Sequence, residues 1–335
     1  MKSRTTILFI LLGVVTLLLF VADILFGSVN LPLSDVWGVI TGSTTDAVTR
    51  GIVIDIRIAK AITALLAGLA LALSGLQMQT IFRNPLAGPY VLGVSSGASF
   101  GVALFLLGMP LLGISSSPVI SAIGSAGAAW IGAAAILALI IALSSRIKDI
   151  MVILILGMML SSALGALVEI LQYFSHEQAL KSFVVWTMGS LGDITLTQLS
   201  FIAPIIIIGS ILAVTVIKPL NLLLLGESYA ITSGVNIKAV RSRVFISTTL
   251  LAGTITAFCG PIGFVGIAVP HLARMIFATS DHRVLLPASA LIGAAMMLLG
   301  DIISKLTLLP INTITALIGI PVVVYIVTRN RNLMQ

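Results

Sequence analysis

The sequence predicts an all-α, polytopic membrane protein with about ten transmembrane helices. Three observations carry that prediction. Hydrophobic residues make up 59% of the 335 positions and charged residues only 9%, where a soluble domain carries about 25% charged. The mean hydropathy of +1.20 agrees: there is too little polar surface to cover a water-soluble globule. Apolar runs of roughly 20 residues, the length that crosses a bilayer, recur along the whole chain. The basic residues also segregate to alternate connections between those runs, as they do in membrane proteins. The net charge of +7 therefore reads as loop charge facing the cytoplasm, and no nucleic-acid partner is expected.

The first run, Ile7 to Phe26, follows Lys2 and Arg4 and resembles a signal peptide. It is long enough to span, and Asp23, Phe26 and Asn30 stand where small residues would mark a cleavage site. It is expected to be the first transmembrane helix. Further runs lie at about 58–81, 90–112, 118–143, 150–171, 200–217, 242–259, 261–279, 285–303 and 309–328, the boundary within 242–279 being open. An even number of crossings puts both termini on one side. With the N-terminus inside, thirteen of the 18 basic residues face the cytoplasm, namely Lys2, Arg4, Arg83, Arg146, Lys148, Lys218, Lys238, Arg241, Arg243, Arg274, Arg283, Arg329 and Arg331. Arg50, Arg57, Lys60, Lys181 and Lys305 remain outside. Both termini are thus expected in the cytoplasm, with the chain multi-pass in a bacterial inner membrane.

Three segments are too polar for lipid. Residues 27–57 and 172–199 read as outer loops, the second with a short helix around Gln178 to Thr187. Residues 218–243 read as the longest inner loop. There Leu222 to Leu225 precede Gly226, Glu227 and an amphipathic turn that Gly234 stops, a pattern for short helices lying at the membrane surface. The single cysteine, Cys259, sits in an apolar run and reads as a small buried hydrophobe.

The sharpest break falls between the second and third long runs. Arg83, Asn84, Pro85, Gly88 and Pro89 interrupt an apolar helix, and a run rich in Gly, Ser and Ala follows. Backbone that leaves the helix at a membrane edge is tolerated where protein or a water-filled cavity satisfies it. This break is expected to sit at the mouth of a transport pathway, and the charge bias of Arg83 puts it at the inner mouth. The small residues on either side, Gly68 and Gly93 to Ala98 among them, favour close helix packing.

Several chemistries find no support. No P-loop is present, so the chain is not expected to hold ATP, and no cofactor or enzymatic activity is expected. LSGLQ at 73–77 lies within an apolar helix and is discounted as a nucleotide signature. His176, His271 and His282 lack metal-ligand spacing. Asp23, Glu169, Asp193 and Asp301 fall near span ends, none with an evident partner, which weakens an ion-coupled secondary transporter as the alternative reading.

Four segments, in order, carry a family resemblance. RNPLAGPYVLGVSSGAS (83–99), IDIRIAKAITALLAGLALALSGLQMQ (54–79), LLGESYAITSGVN (224–236) and GPIGFVGIAVPHLARMI (260–276) resemble signatures of the FecCD/BtuC-type permease subunits of ABC importers for iron-siderophores, haem or cobalamin. The tail 281–327 also fits. The resemblance implies a type II ABC importer permease fold of ten helices forming one domain over 1–335, with 218–243 as its cytoplasmic coupling loop. It implies ABC ATPase subunits, a periplasmic or lipid-anchored substrate-binding protein, and a second copy or a related permease as partners, with a metal chelate as cargo. It places an inner gate and pathway at Arg83, Asn84, Pro85, Leu86, Gly93, Ser95, Ser96 and Gly97. Gly226, Glu227, Ala230 and Gly234 become ATPase-coupling residues, and Arg57, Lys60 and Lys305 become docking residues for the binding protein. There are departures: Gly88 replaces the usual acid, Lys60 and Lys305 replace arginines and lose the bidentate fork, and Asn312 stands at a family glycine.

Overall fold

The structure, a computed structural model, describes residues 2–27, 29, 31–43, 46–111, 118–147 and 149–330. Of the residues used above, Ser28, Asn30, Thr44, Thr45, Leu112, Lys148 and Arg331 lie outside the described ones.

All regular structure among the described residues is helical. The helices are α1 (Lys2–Leu25), α2 (Leu33–Thr41), α3 (Ala47–Ile81), α4 (Val94–Leu111), α5 (Pro118–Arg146), α6 (Ile150–Phe174) and α7 (Glu177–Thr187). They continue as α8 (Leu196–Thr215), α9 (Ile217–Leu224), α10 (Glu227–Thr232), α11 (Ile237–Cys259), α12 (Val265–Phe277), α13 (His282–Thr307) and α14 (Ile311–Asn330). Eight of these are long and apolar enough to cross a membrane, and α12 and α14 add two shorter apolar helices. These account for the ten apolar runs.

The first loop differs from its expectation. Residues 33–41 form α2, and 47–57 belong to α3, which runs unbroken for 35 residues through a π-type turn at Ile52–Ile58. Asp55 and Arg57 made this stretch look too polar for a span, but the helix continues through them. The expected inner loop at 218–243 is likewise largely helical: α9 and α10 are short, and residues 237–243 already form the start of α11.

The bundle is built around α3. One apolar core joins its residues 59–76 to α8, α12 and α13, and a second joins its C-terminal end to α4, α5, α6 and the 216–245 region. Small residues set the approach of the closest neighbours. A β-carbon on Gly75 would strike the Gly266 backbone of α12, and one on Gly68 would strike Gly293 of α13. With lipid tails as apolar as the side chains, such backbone contact supplies much of the packing attraction.

Candidate functional site

The predicted gate begins where α3 ends. The Asn84 amide donates to the Gln79 carbonyl (3.2 Å) and the Arg83 amide to the Thr80 carbonyl (3.3 Å). This is a Schellman closure, with Arg83 at the position usually held by glycine. Its φ is +46°, in the left-handed region that costs a side chain roughly 1–2 kcal/mol. The chain then folds back on itself: the Asn84 side-chain oxygen accepts from the Leu86 amide (2.9 Å) and the Asn84 carbonyl from the Ala87 amide (3.1 Å). Arg83, Pro85 and Leu86 are exposed, whereas Ala87, Gly88 and Pro89 are buried. Gly88 lies where a β-carbon would stand 3.1 Å from Ile267 Cγ1. The family's acid would have to displace that side chain, which gives the departure at this position a steric reason. Gly93, at φ +78°, turns the chain into α4. Ser95 and Ser96 follow, half-buried, and Gly97 packs flat on Gly132 of α5.

Residues that carried no predicted role tie this segment down. His271 Nε2 donates to the Pro85 carbonyl (2.7 Å). Gln79 accepts from Arg274 (2.6 Å) and donates to the Ile267 carbonyl (3.0 Å). Gln79, His271 and Arg274 all lie within the sequence motifs, but nothing in the spacing pairs residues about 190 positions apart.

The region expected to couple lies against the same end of α3. Gly226 (φ +121°) and Gly234 (φ +83°) bracket α10 with backbone that favours glycine. Ala230 points inward and is fully buried, so it packs the helix down rather than facing outward. Leu225, Tyr229 and Ile231 are exposed instead. Glu227 pairs with Arg241 at 3.1 Å. Asn221 of α9 accepts from the His282 amide (2.9 Å) and from His282 Nδ1 (2.7 Å), and its own amide donates to Asp281 (2.6 Å). His282 Nε2 stands 2.8 Å from Thr80 Oγ1. α9 is therefore stapled to the C-terminal end of α3 and the start of α13. The Arg283 amide and the Asn221 amide hold the Asp281 carboxyl below its ordinary value. A cavity of about 360 Å³ opens here, lined by Arg83, Asp149, Glu227 and Arg241 with apolar neighbours.

The three basic residues expected to dock a partner are not bare charges. Arg57 is 3% exposed. It donates to the carbonyls of Ile24 (3.0 Å), Leu25 (2.9 Å) and Val29 (2.6 Å), closing the C-terminus of α1, where a cation suits the helix dipole. Lys305 sits 2.8 Å from Asp23 and 2.9 Å from Asp301, and Lys60 sits 3.0 Å from Asp301. Asp23 and Asp301 are buried. One expectation is corrected, since these carboxylates do have partners; Arg57 and Lys305 turn inward in the chain. Lys60 and Lys305 are thus paired with acids within the bundle.

Comparison with known proteins places the whole chain. Residues 15–329 match the FecCD transport family model. The haemin transport system permease protein HmuU of Yersinia pestis is 35% identical over 335 residues, covering 98% of this chain and 97% of that one. The molybdate import system permease protein MolB of Haemophilus influenzae is 36% identical over 327 residues, covering 93% of each. A solved structure described as an inward-facing conformation of a metal-chelate type ABC transporter superposes with a TM-score of 0.83 at 32% identity, covering 96% of this chain and 99% of that one. With the helices, the interrupted segment after α3 and these full-length matches in agreement, the chain belongs to the FecCD transport family, as a multi-pass ABC importer permease and not itself an enzyme.

Proposed function

We propose that this chain is the membrane subunit through which a metal chelate is imported, at the expense of ATP hydrolysed by separate ABC ATPase subunits. A binding protein delivers cargo at the outer face, and a second copy or a related permease completes the pathway. Both termini are cytoplasmic, following the bias of the basic residues. Residues 1–335 act as one permease domain. The surface helices around Gly226, Glu227 and Gly234 receive the ATPase, and Ala230 anchors them from beneath. Arg83, Asn84, Pro85 and Leu86 form the inner gate. HmuU carries a haemin name and MolB a molybdate name, so the family sets the mechanism and leaves the individual cargo open.

The observation that carries this reading is the shared footing of gate and coupling helices. Thr80 meets the His282–Asn221 pair three residues before Arg83, and Arg83 Nη2 lies 3.5 Å from the Leu223 carbonyl of α9. A push on α9 and α10 reaches the turn at 83–86 through one chain of contacts.

Labelling tests it. Cys259 is buried, so a single cysteine placed by Leu86→Cys or Asn84→Cys reports alone. In the permease reconstituted with its ATPase, labelling from the cytoplasmic side is expected to change between the nucleotide-free and ATP-bound states. Constant labelling through the cycle would refute the gate assignment, and absence of ATP-driven uptake with the binding protein would refute the import reading.

A further inference from the structure

A second cavity, of about 340 Å³, lies between α4, α6 and α7 and takes no part in the contacts described above. Ser95, Ser96 and Ser99 line it from α4, Glu169 and Gln172 from α6, and Phe183 from α7. The spacing explains the convergence: 95 and 99, 169 and 172 are each one helical turn apart and share a face.

The polar groups here are unengaged. Thr63, Ser74, Ser161 and Ser210 all donate to a carbonyl one turn back in their own helices, the usual fate of a hydroxyl in an apolar helix. Among the described residues the hydroxyls of Ser95, Ser96 and Ser99, the Gln172 amide and the Glu169 carboxylate have no hydrogen-bond or ion-pair partner in the chain. Glu169 lies five residues from the end of α6. An ionisable group within a span is costly and characteristically faces a water-filled path or substrate route. The buried acids within spans, Asp23 and Asp301, are each held by lysine, whereas Glu169 is open to the cleft with no such partner. No basic residue lines this cavity. The nearest on α7 in sequence, Lys181, is two positions before Phe183 and so about 160° away around the helix.

We propose that this cavity is a charge filter on the cargo route, admitting cationic or neutral, donor-rich metal complexes in preference to polyanionic ones. N–H and O–H groups at the rim of such a complex meet three hydroxyls, an amide oxygen and a carboxylate, whereas a polyanionic complex meets an uncompensated negative charge in a cleft that focuses its field. The proposal rests on the import reading above.

Thiol chemistry tests it without requiring transport. Ser99→Cys supplies one reactive cysteine in the full-length permease in proteoliposomes. Methanethiosulfonates of similar size, one carrying trimethylammonium and one sulfonate, are compared after normalising to a free thiol. The cationic reagent is expected to react about tenfold faster, and Glu169→Gln is expected to bring the two rates within about twofold of each other. Glu169→Lys should reverse the preference. Thr187→Cys, probing from α7, repeats the measurement if Ser99→Cys does not fold. Equal rates in the parent background, or a preference that survives Glu169→Gln, overturn the filter. Failure of the import reading appears separately, as absent ATP-driven uptake with the thiol preference intact.

Discussion

At the scale of single residues, His271 does more than its place in a motif discloses. It is the donor that fixes the Pro85 carbonyl, one residue before Leu86. Pro85 is exposed, so water can replace the lost donor, and His271→Ala should cost only about 0.5–1.5 kcal/mol. The local effect should be larger than the global one. Amide exchange at Leu86 and Ala87 is expected to accelerate while the unfolding midpoint moves little, and His271→Gln, which restores a donor, should recover much of the protection. Unchanged exchange in His271→Ala would mean that the Asn84 turn holds residues 83–87 unaided. The histidine itself was legible as part of GPIGFVGIAVPHLARMI, but its partner was not. Periodicity and turn chemistry report on neighbours in sequence, and the Pro85–His271 bond spans 186 positions. The break at 83–89 was legible for the opposite reason, since proline and glycine act on their own backbone.

At the scale of elements, helix ends decide how α9 and α13 are assembled on α3. Asp281 caps α13, accepting from the Arg283 amide at 2.9 Å, and also receives the Asn221 amide. Asp281→Ala should cost about 1 kcal/mol and loosen α9 as well. Its carboxyl is held below the ordinary 3.8, so its contribution is fully present above that pH and fades as pH falls through the lower folded value. A thermal-melt series from pH 6 downward should show this loss in the parent and not in Asp281→Asn, which keeps an oxygen for the cap and cannot titrate. The Glu227–Arg241 pair is half open to solvent on the Glu227 side, so Glu227→Gln should change stability by less than about 1 kcal/mol. If α10 receives the ATPase, the same substitution should lower uptake per ATP hydrolysed, and an unchanged ratio would remove Glu227 from the coupling set. The sequence disclosed α10 through Gly226 and Gly234 but mistook 47–57 for loop. Arg57 looked too polar for a span because its burial depends on the end of α1, some 30 residues upstream, while Asp55 stays exposed.

At the scale of the whole molecule, α1, α3 and α13 are joined by charge: Asp23 to Lys305, Lys305 to Asp301, Asp301 to Lys60. Read from sequence, the basic residues seemed to need an external partner, because Asp23 and Lys305 stand 282 positions apart. The fold supplies the counter-charges internally, and a network of this kind need not raise stability over apolar packing, although breaking it is expensive. Asp301 is the hub, so Asp301→Asn leaves Lys60 and Lys305 short of a counter-charge and should cost about 3–5 kcal/mol, seen as a lower melting temperature of the purified permease. Replacing the linked pair together, as Asp23→Leu with Lys305→Met, removes both charges at once and should restore much of what either single change loses. That double variant also separates the two roles the lysine could have. If Lys305 serves the bundle, binding-protein stimulation of the ATPase should survive in the refolded double variant with its salt dependence intact. If it serves docking, stimulation should fall although the fold is recovered. The burial of Lys305, with a side chain 6% exposed, leads to the first outcome. Lys60, at 19%, is then the residue of the three best placed to keep some contact with the outside.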